Sequence, residues 1–200
     1  MEESSFFNYW FTFFFALGFC FWFPMYVVKT LGKGLPDWGL ACCIVLLFLF
    51  LPLLSLSFIR DVFPALWLGV ENGGLDAVNT DMLSESLSQM STLEQTFIGL
   101  SVLGIIGSMI LNGFSAWMLY IRRVRRGLLT AFRLMWISAL VIVVSVGVLP
   151  LILLGAQGFD LVRQSALALA GYFVLLLGIT AYLKTNKNIA SYYPLERDDK

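Results

Sequence analysis

Five long apolar segments dominate this sequence, and they decide the solvent in which the chain can fold. They cover about residues 6–28, 39–59, 97–121, 131–154 and 164–183. At a rise of 1.5 Å per residue, a helix over each segment is long enough to cross a hydrocarbon core of about 30 Å. Because lipid cannot satisfy an open strand edge, the spans should be helices. The sequence therefore predicts an all-α integral membrane protein with five transmembrane helices.

The composition agrees with a lipid-exposed chain. Of the 200 residues, 59% are hydrophobic and 13% are charged, whereas soluble domains have roughly 45–50% and about 25%. This is more apolar surface than a soluble fold can bury. The formal net charge is zero, so electrostatics favour no nucleic-acid partner.

Positive charges are distributed unevenly among the connecting segments. Eleven of the 13 Lys and Arg residues fall between spans one and two, within or next to the segment between spans three and four, or after span five. Only Arg60 and Arg163 lie on the other side. Cytoplasmic loops carry an excess of Lys and Arg. We therefore predict a cytoplasmic C-terminus and, with an odd number of spans, an external N-terminus. The start MEESS lacks the basic residues of a signal peptide, so the first span should be retained.

The external segment 60–96 has structure of its own. The apolar stretch VFPALWLGV at 62–70 is too short to span and predicts an interfacial or re-entrant piece. Apolar residues at helical spacing over 83–90 predict a short amphipathic helix on the outer membrane surface. Ser91 and Glu94 match a capping box, which predicts that the third span begins there.

Small and polar side chains form a stripe along the third span. They recur at steps of three and four, which places them on one helix face: Ser101, Gly104, Ser108, Asn112 and Ser115. Small residues let another backbone approach, and an Asn in hydrocarbon needs a hydrogen-bond partner. We predict a helix-packing seam, with a polar ligand pocket as the alternative. The fifth span offers a candidate facing surface of Ala166, Ala170, Gly171 and Gly178.

Two prolines lie inside spans, Pro52 in the second and Pro150 in the fourth. Each removes a backbone hydrogen bond, so a kink is expected at each position. Such kinks fit either a packed bundle or the wall of a cavity.

Charged residues at the external span ends allow two interpretations. Arg60, Asp61, Asp160 and Arg163 form either a local ion-pair cluster or a set of hydrated charges, since exposed pairs contribute little stability.

Residues that carry membrane chemistry are missing from the spans. No span has an Asp, Glu, Lys, Arg or His near its centre, although such residues mark proton relays and ion pathways. The chain has no His, which excludes a Ser-His-Asp hydrolase and an HExxH zinc site. Cys20, Cys42 and Cys43 lie in apolar runs, where a thiol packs as a small hydrophobic side chain; acylation of Cys42 and Cys43 near a helix end is the alternative. The sequence predicts no enzyme, no metal and no cofactor.

Two surfaces point to partners. The first span carries aromatic rings at mid-membrane depth, beyond what interfacial belts require. Because aromatic contacts are large and geometrically selective, we predict a partner-docking surface of Phe11, Phe14, Phe15, Phe19 and Trp22; exposure to lipid is the alternative. The cluster RRVRR is predicted to anchor a cytoplasmic loop and to bind anionic lipid headgroups through Arg122, Arg123, Arg125 and Arg126.

The C-terminal half resembles a known family. The tripeptide VRQ at 162–164, the following apolar span and the tail AYLKTNKNIASYY at 181–193 are similar to the end of the small YdgK-type bacterial inner-membrane proteins. These have four spans, a basic loop after the second and a tail of the form YFKxSxRVxxT. Here the basic loop is RRVRR, and PDWGL at 36–40 corresponds to the family's GGW. Asn188 and Ile189 stand where the family tail has Arg and Val.

The resemblance covers about residues 36–193 and implies a bacterial inner membrane and a four-span core. It divides the chain into an extra aromatic-rich helix with a cytoplasmic loop (1–35), the core with its external loop 60–96 (36–193) and a cytoplasmic tail (194–200). It transfers no functional residues, because the family has no assigned activity.

Two functions fit these features. The first is a non-catalytic accessory or scaffold subunit of a larger inner-membrane complex, with other integral membrane subunits and membrane lipids as partners. The second is a carrier or binding protein for a lipid or another apolar molecule, using the kinked spans two and four with VFPALWLGV as the entrance.

Overall fold

The computed structural model describes Tyr26, Leu35 and residues 37–63 and 87–194. Regular structure in these residues is helical, without a strand. Four helices are long and apolar enough to cross a membrane: α1 (Trp38–Val62), α2 (Thr92–Ile121), α3 (Arg125–Leu154) and α4 (Ala156–Thr185). A short helix, α5 (Lys187–Tyr192), follows. Helices α1 to α4 correspond to the predicted second to fifth spans; the predicted first span lies outside the described residues.

Side-chain caps mark where α1 and α2 begin. The Ser91 hydroxyl accepts from the Glu94 amide at 3.3 Å, and the Glu94 carboxylate accepts from the Ser91 amide at 2.7 Å. This confirms the predicted capping box and the start of the third span. At α1, the Asp37 carboxylate accepts from the Leu40 amide at 2.9 Å. These three bonds satisfy backbone amides that a helix start otherwise leaves open.

Each proline is the second residue after a π-helical turn. The turn Leu46–Phe50 precedes Pro52, and the turn Val143–Val148 precedes Pro150. At the end of the first turn, the Leu51 amide donates to the carbonyl of Leu46, five residues back. A proline ring clashes with the carbonyl four residues earlier. The carbonyls four residues before the prolines belong to Phe48 and Val146, and both lie inside the wider π-helical turns. The helix therefore continues through each proline.

The connection between α3 and α4 is one residue long. Gly155 has φ of 57°, a backbone conformation that residues with a Cβ rarely adopt. The helices remain close beyond this turn, since a Cβ on Gly158 would lie 2.0 Å from the carbonyl oxygen of Pro150. Two glycines thus produce the tight α3–α4 hairpin.

The four long helices form a bundle in which α2 packs along both α1 and α3, while α4 contacts α3 and α1. Leu47, Phe58, Ile105, Met135 and Leu176 are fully buried in its core. Large apolar side chains also face outward, with Leu167 85% and Ile152 71% exposed. An apolar exterior around a packed interior is what a bundle dissolved in lipid requires.

The predicted external segment is described only at its two ends. Val62 and Phe63 are buried, and Leu87 and Met90 are partly buried against the core. The remainder of VFPALWLGV and of the predicted amphipathic helix lies in residues 64–86, outside the described part of the chain.

Candidate functional site: the polar seam and the basic end of the bundle

The stripe on the predicted third span faces the interior and bonds mainly to α3. Ser101, Ser108, Asn112 and Ser115 are fully buried. The Ser101 hydroxyl donates to the carbonyl of Ser145, and the Ser115 hydroxyl donates to the carbonyl of Ala131, both at 2.9 Å. Each bond joins α2 to α3, so the two helices are linked near both ends of their contact.

Gly104 brings the two backbones together between those bonds. A Cβ built on it would lie 1.9 Å from the Oγ of Ser145 and 3.1 Å from its Cβ. The first distance is far shorter than real Cβ contacts and the second is tighter than most of them, so this helix approach depends on the missing side chain at Gly104.

A tyrosine hydroxyl occupies the centre of the seam. Tyr172 of α4 is fully buried, and its hydroxyl accepts from the Nδ2 of Asn112 at 2.8 Å. The same hydroxyl lies 2.7 Å from the Oγ of Ser138 and 3.3 Å from that of Ser108. The cluster of Ser108, Asn112, Ser138 and Tyr172 therefore connects three helices, and we call it the tyrosine cluster.

The tyrosine cluster leaves one acceptor open. Among the described residues, the Oδ1 of Asn112 is buried without a hydrogen-bond partner. A buried, unpaired amide oxygen costs free energy, but none of the four side chains carries a charge. The cluster can hold the three helices together through neutral hydrogen bonds.

The prediction that the small residues of the fifth span face the stripe on the third span was wrong. Its small residues point away from the seam, because the inward positions of α4 are taken by larger side chains such as Tyr172 and Leu176. The outward residues are Ala166, Ala170, Gly171 and Gly178. A tyrosine inside an apolar span needs a polar partner when buried, and that requirement was the signal that Tyr172 belonged to the seam.

A second polar cluster ties the start of α1 to the end of α4. The Tyr182 hydroxyl donates to the Asp37 carboxylate at 2.6 Å, and the Nδ2 of Asn186 donates to it at 2.9 Å. Burial acts to raise the pKa of Asp37, but the hydrogen bonds from Tyr182, the Leu40 amide and Asn186 outweigh it and lower the pKa below its ordinary value. Asp37 is thus held as a carboxylate.

The C-terminal segment folds back against the same end of the bundle. The buried hydroxyl of Tyr193 donates to the carbonyl of Leu119, and the Arg125 amide donates to the carbonyl of Pro194 at 3.0 Å. Burial raises the pKa of Tyr193, so its hydroxyl remains a donor. We call this end, formed by residues 37–38, 119–126 and 182–194, the basic end.

The four arginines of RRVRR belong to the basic end, and their side chains have different environments. The Arg123 guanidinium lies 5.4 Å from the ring centroid of Tyr192, a cation–π contact. Arg122 and Arg126 are exposed. Arg125 begins α3 and lines a cavity of about 340 Å³ together with Lys184.

At the opposite end, the four charged residues do not form one cluster. Asp61 lies 3.7 Å from the Nε of Arg60 and accepts from the Ser165 hydroxyl at 2.9 Å. Asp160 and Arg163 are exposed on the first turns of α4 and form no ion pair with the described residues. Asp61 therefore joins α1 to α4 through Ser165 instead of through Arg163.

Two further predictions concern the docking surface of the first span and the presence of a metal site. The docking residues Phe11, Phe14, Phe15, Phe19 and Trp22 all lie outside the described residues. Within the described ranges, no three His, Cys, Asp or Glu side chains are grouped as a metal site.

No protein-family model, curated protein or solved structure matches this chain. The resemblance to the YdgK-type proteins, carried by VRQ, RRVRR and the tail at 181–193, stays a prediction.

Proposed function

We propose that this chain is a non-catalytic accessory subunit of a larger bacterial inner-membrane complex and docks through its transmembrane helices. The observation that carries the proposal is a set of small residues on the outward side of α4, where Leu167, Val174 and Leu177 are exposed among them. Ala166, Ala170, Gly171 and Gly178 are all exposed, and we call them the small face.

The glycines of the small face have no role in the packing of the described bundle. A Cβ on Gly171 or Gly178 would meet nothing within 4 Å, whereas one on Gly158 would strike the backbone of α3. Lipid chains gain nothing from a glycine, but a second helix does, because the backbones then approach closely. The small face therefore favours a helix as its occupant.

An apolar cleft beside the small face has room for side chains of such a helix. It lies between α1 and α4, has a volume of about 560 Å³ and includes Trp38, Leu46, Val174 and Gly178 in its lining. The small face runs from Ala166 to Gly178, which is about 18 Å along a helix and more than half of the membrane core. We assign this length to a transmembrane helix of a partner subunit.

The same proposal includes the topology. Five spans place the N-terminus outside and the C-terminus in the cytoplasm. The described cations at the basic end support this orientation under the positive-inside rule: Arg122, Arg123, Arg125, Arg126, Lys184 and Lys187.

Purification in a mild detergent, followed by mass spectrometry of the intact assembly, tests the accessory role. We expect other membrane subunits to co-purify in stoichiometric amounts. The double variant Gly171→Leu/Gly178→Leu should lose them, because two leucines prevent close approach. The matched control is Gly99→Leu/Gly107→Leu, at two α2 glycines where an added Cβ also meets nothing within 4 Å.

Equal loss of subunits from both double variants would refute the small face as the docking surface. A monomer that retains a stoichiometric lipid and no subunit would instead favour the carrier function.

The predicted aromatic surface of the first span needs a separate test. Residues 1–28 are replaced by a poly-Leu span that preserves the number of crossings. If Phe11, Phe14 and Phe19 contact a partner, its recovery should fall while the remaining bundle stays folded. Full recovery of the partner with the poly-Leu variant would show that the first span is not needed for docking, which would leave α4 as the docking helix.

A further inference from the structure

The cavity at the basic end combines two positive charges with an apolar wall. It lies where α3, α4 and α5 meet and has a volume of about 340 Å³. Arg125 and Lys184 supply the charges, and Leu128, Leu129, Phe132 and Leu183 supply most of the wall. We infer that this cavity binds one anionic glycerophospholipid, with its phosphate between Arg125 and Lys184.

Within the described part of the chain, the two cations have no anionic partner. No carboxylate of the described residues lies within ion-pair distance of Arg125 or Lys184. The Lys184 ammonium lies 5.8 Å from the ring centroid of Phe132, a cation–π contact that holds it beside the cavity. Two cations on neighbouring helices match a phosphate, which accepts hydrogen bonds from several directions.

The cavity-lining residues of α3 change from charged to apolar along the helix, as a lipid changes from headgroup to acyl chain. Arg125 begins the helix, while Phe132 lies seven residues later, about 10 Å further along the helix axis. Arg125 is therefore at the mouth, the apolar wall extends from it toward the membrane core, and Lys184 reaches that wall from α4 beside Phe132. An acyl chain gains from that wall by apolar burial, and a free phosphate ion gains nothing from it. This difference assigns the ligand to lipid.

The wall formed by the C-terminal segment is already in place. Tyr193 and Ala190 line the cavity, and the bonds from Tyr193 to Leu119 and from Arg125 to Pro194 hold the segment against the bundle. A wall fixed before binding lowers the ordering cost of the ligand. The volume, near the lower limit of about 300–1,000 Å³ for ligand sites, suits a headgroup with the first carbons of its chains.

The test uses the full chain in nanodiscs of phosphatidylcholine with phosphatidylglycerol as the anionic probe, read out by native mass spectrometry. We expect one phosphatidylglycerol to be retained in preference to phosphatidylcholine. The variant Arg125→Gln/Lys184→Gln should weaken retention roughly 25-fold, since each cation near an anionic lipid surface is worth about a factor of five. The matched control, Arg133→Gln/Lys187→Gln, removes the same charge from two exposed positions of α3 and α5 that lie outside the cavity lining.

A third variant separates the cavity from its charge. Ala190→Phe fills the space and leaves both cations unchanged, so it should also reduce retention. Equal retention by both charge variants would overturn the inference, because a diffuse basic surface would then suffice. Retention of inorganic phosphate with no preference among lipids would also overturn it, since the apolar wall would have no function.

Discussion

The Tyr182 hydroxyl donates a hydrogen bond of 2.6 Å to the carboxylate of Asp37, a residue 145 positions earlier in the chain. Tyr182 also leaves no space for a side chain at residue 39, two positions after Asp37, since a Cβ on Gly39 would lie 2.2 Å from the hydroxyl oxygen of Tyr182. Asp37 and Gly39 belong to PDWGL, and Tyr182 belongs to the tail at 181–193. The two segments compared with the YdgK-type family thus form one local structure, which fastens the start of α1 to the end of α4.

Removing the Tyr182 hydroxyl should loosen this connection. The variant Tyr182→Phe keeps the ring beside Gly39 but takes one donor from Asp37. We expect a loss of about 1 kcal/mol in the free energy of unfolding, below the value for a fully buried bond to a charged group because both side chains are partly exposed. Denaturant titration in detergent measures it. Tyr120→Phe, at an exposed tyrosine of the same end, should change nothing; equal losses would contradict the assignment.

The Asp37 cluster should make stability depend on acid pH. Folding lowers the pKa of Asp37 below 3.8. At a pH between the two values, the unfolded chain therefore binds a proton at Asp37 that the folded chain does not bind. The contribution is therefore complete above 3.8 and is lost as pH falls through the lower folded pKa. Unfolding measured across this range should show a steeper decrease for the natural chain than for Asp37→Asn. Parallel curves would show that other carboxylates dominate.

The α2–α3 approach should tolerate a methyl group at Gly107 but not at Gly104. Gly104→Ala overpacks the contact with Ser145, and such changes cost about 1–3 kcal/mol. Gly107→Ala meets nothing within 4 Å and should leave stability unchanged or slightly higher. Adding Ser145→Ala to Gly104→Ala removes the nearest atom and should restore part of the loss. Thermal unfolding in detergent compares the four chains; no difference between the two alanine variants would contradict the close approach.

Local features of this fold could be predicted from sequence, because their cause lies within a few residues. The Ser91–Glu94 capping box needs only a spacing of three, and the α2 stripe follows from 3.6 residues per turn. The prolines indicated where the helices are disturbed, but π-helical turns were not distinguishable from kinks, since both relieve the same clash.

Partnerships between helices could not be predicted in the same way. Periodicity identifies the inward face of α2 without naming its neighbour, and the neighbour turned out to be α3 with Tyr172 of α4. The small face was assigned to the seam because glycines serve both internal packing and docking. The Asp37–Tyr182 bond has no periodic signal, since each residue alone fits an ordinary helix end.

The orientation predicts opposite reactivity of cysteines at the two ends. In a chain without native cysteines, Gly73→Cys should react with an impermeant thiol reagent added outside intact cells, because the proposed orientation places the segment 60–96 outside. Ser191→Cys, exposed on α5 at the basic end, should react only after the membrane is opened. Gly127 is unsuitable as a reporter, because a Cβ there would lie 2.6 Å from the Arg122 carbonyl oxygen. Equal labelling at both positions would contradict the topology.

The tyrosine cluster should behave as one unit in a double-mutant cycle. Tyr172→Phe deletes the hydroxyl and leaves the Asn112 amide without its 2.8 Å partner, which should cost about 1–2 kcal/mol. Asn112→Leu removes the same bond from the other side and should cost about 0.5–2 kcal/mol. Because both changes delete one shared interaction, the double variant should lose less than the sum, by more than about 0.5 kcal/mol.

The control cycle pairs Asn112→Leu with Ser101→Ala. Ser101 bonds to Ser145 and lies eleven residues away on the same helix, about 16 Å. At that separation the two losses should add. Denaturant unfolding in one detergent gives all six free energies. If Tyr172→Phe and Asn112→Leu added as fully as the control pair, the amide and the hydroxyl would not be bonded in the membrane-embedded protein, and the seam would be held by shape alone.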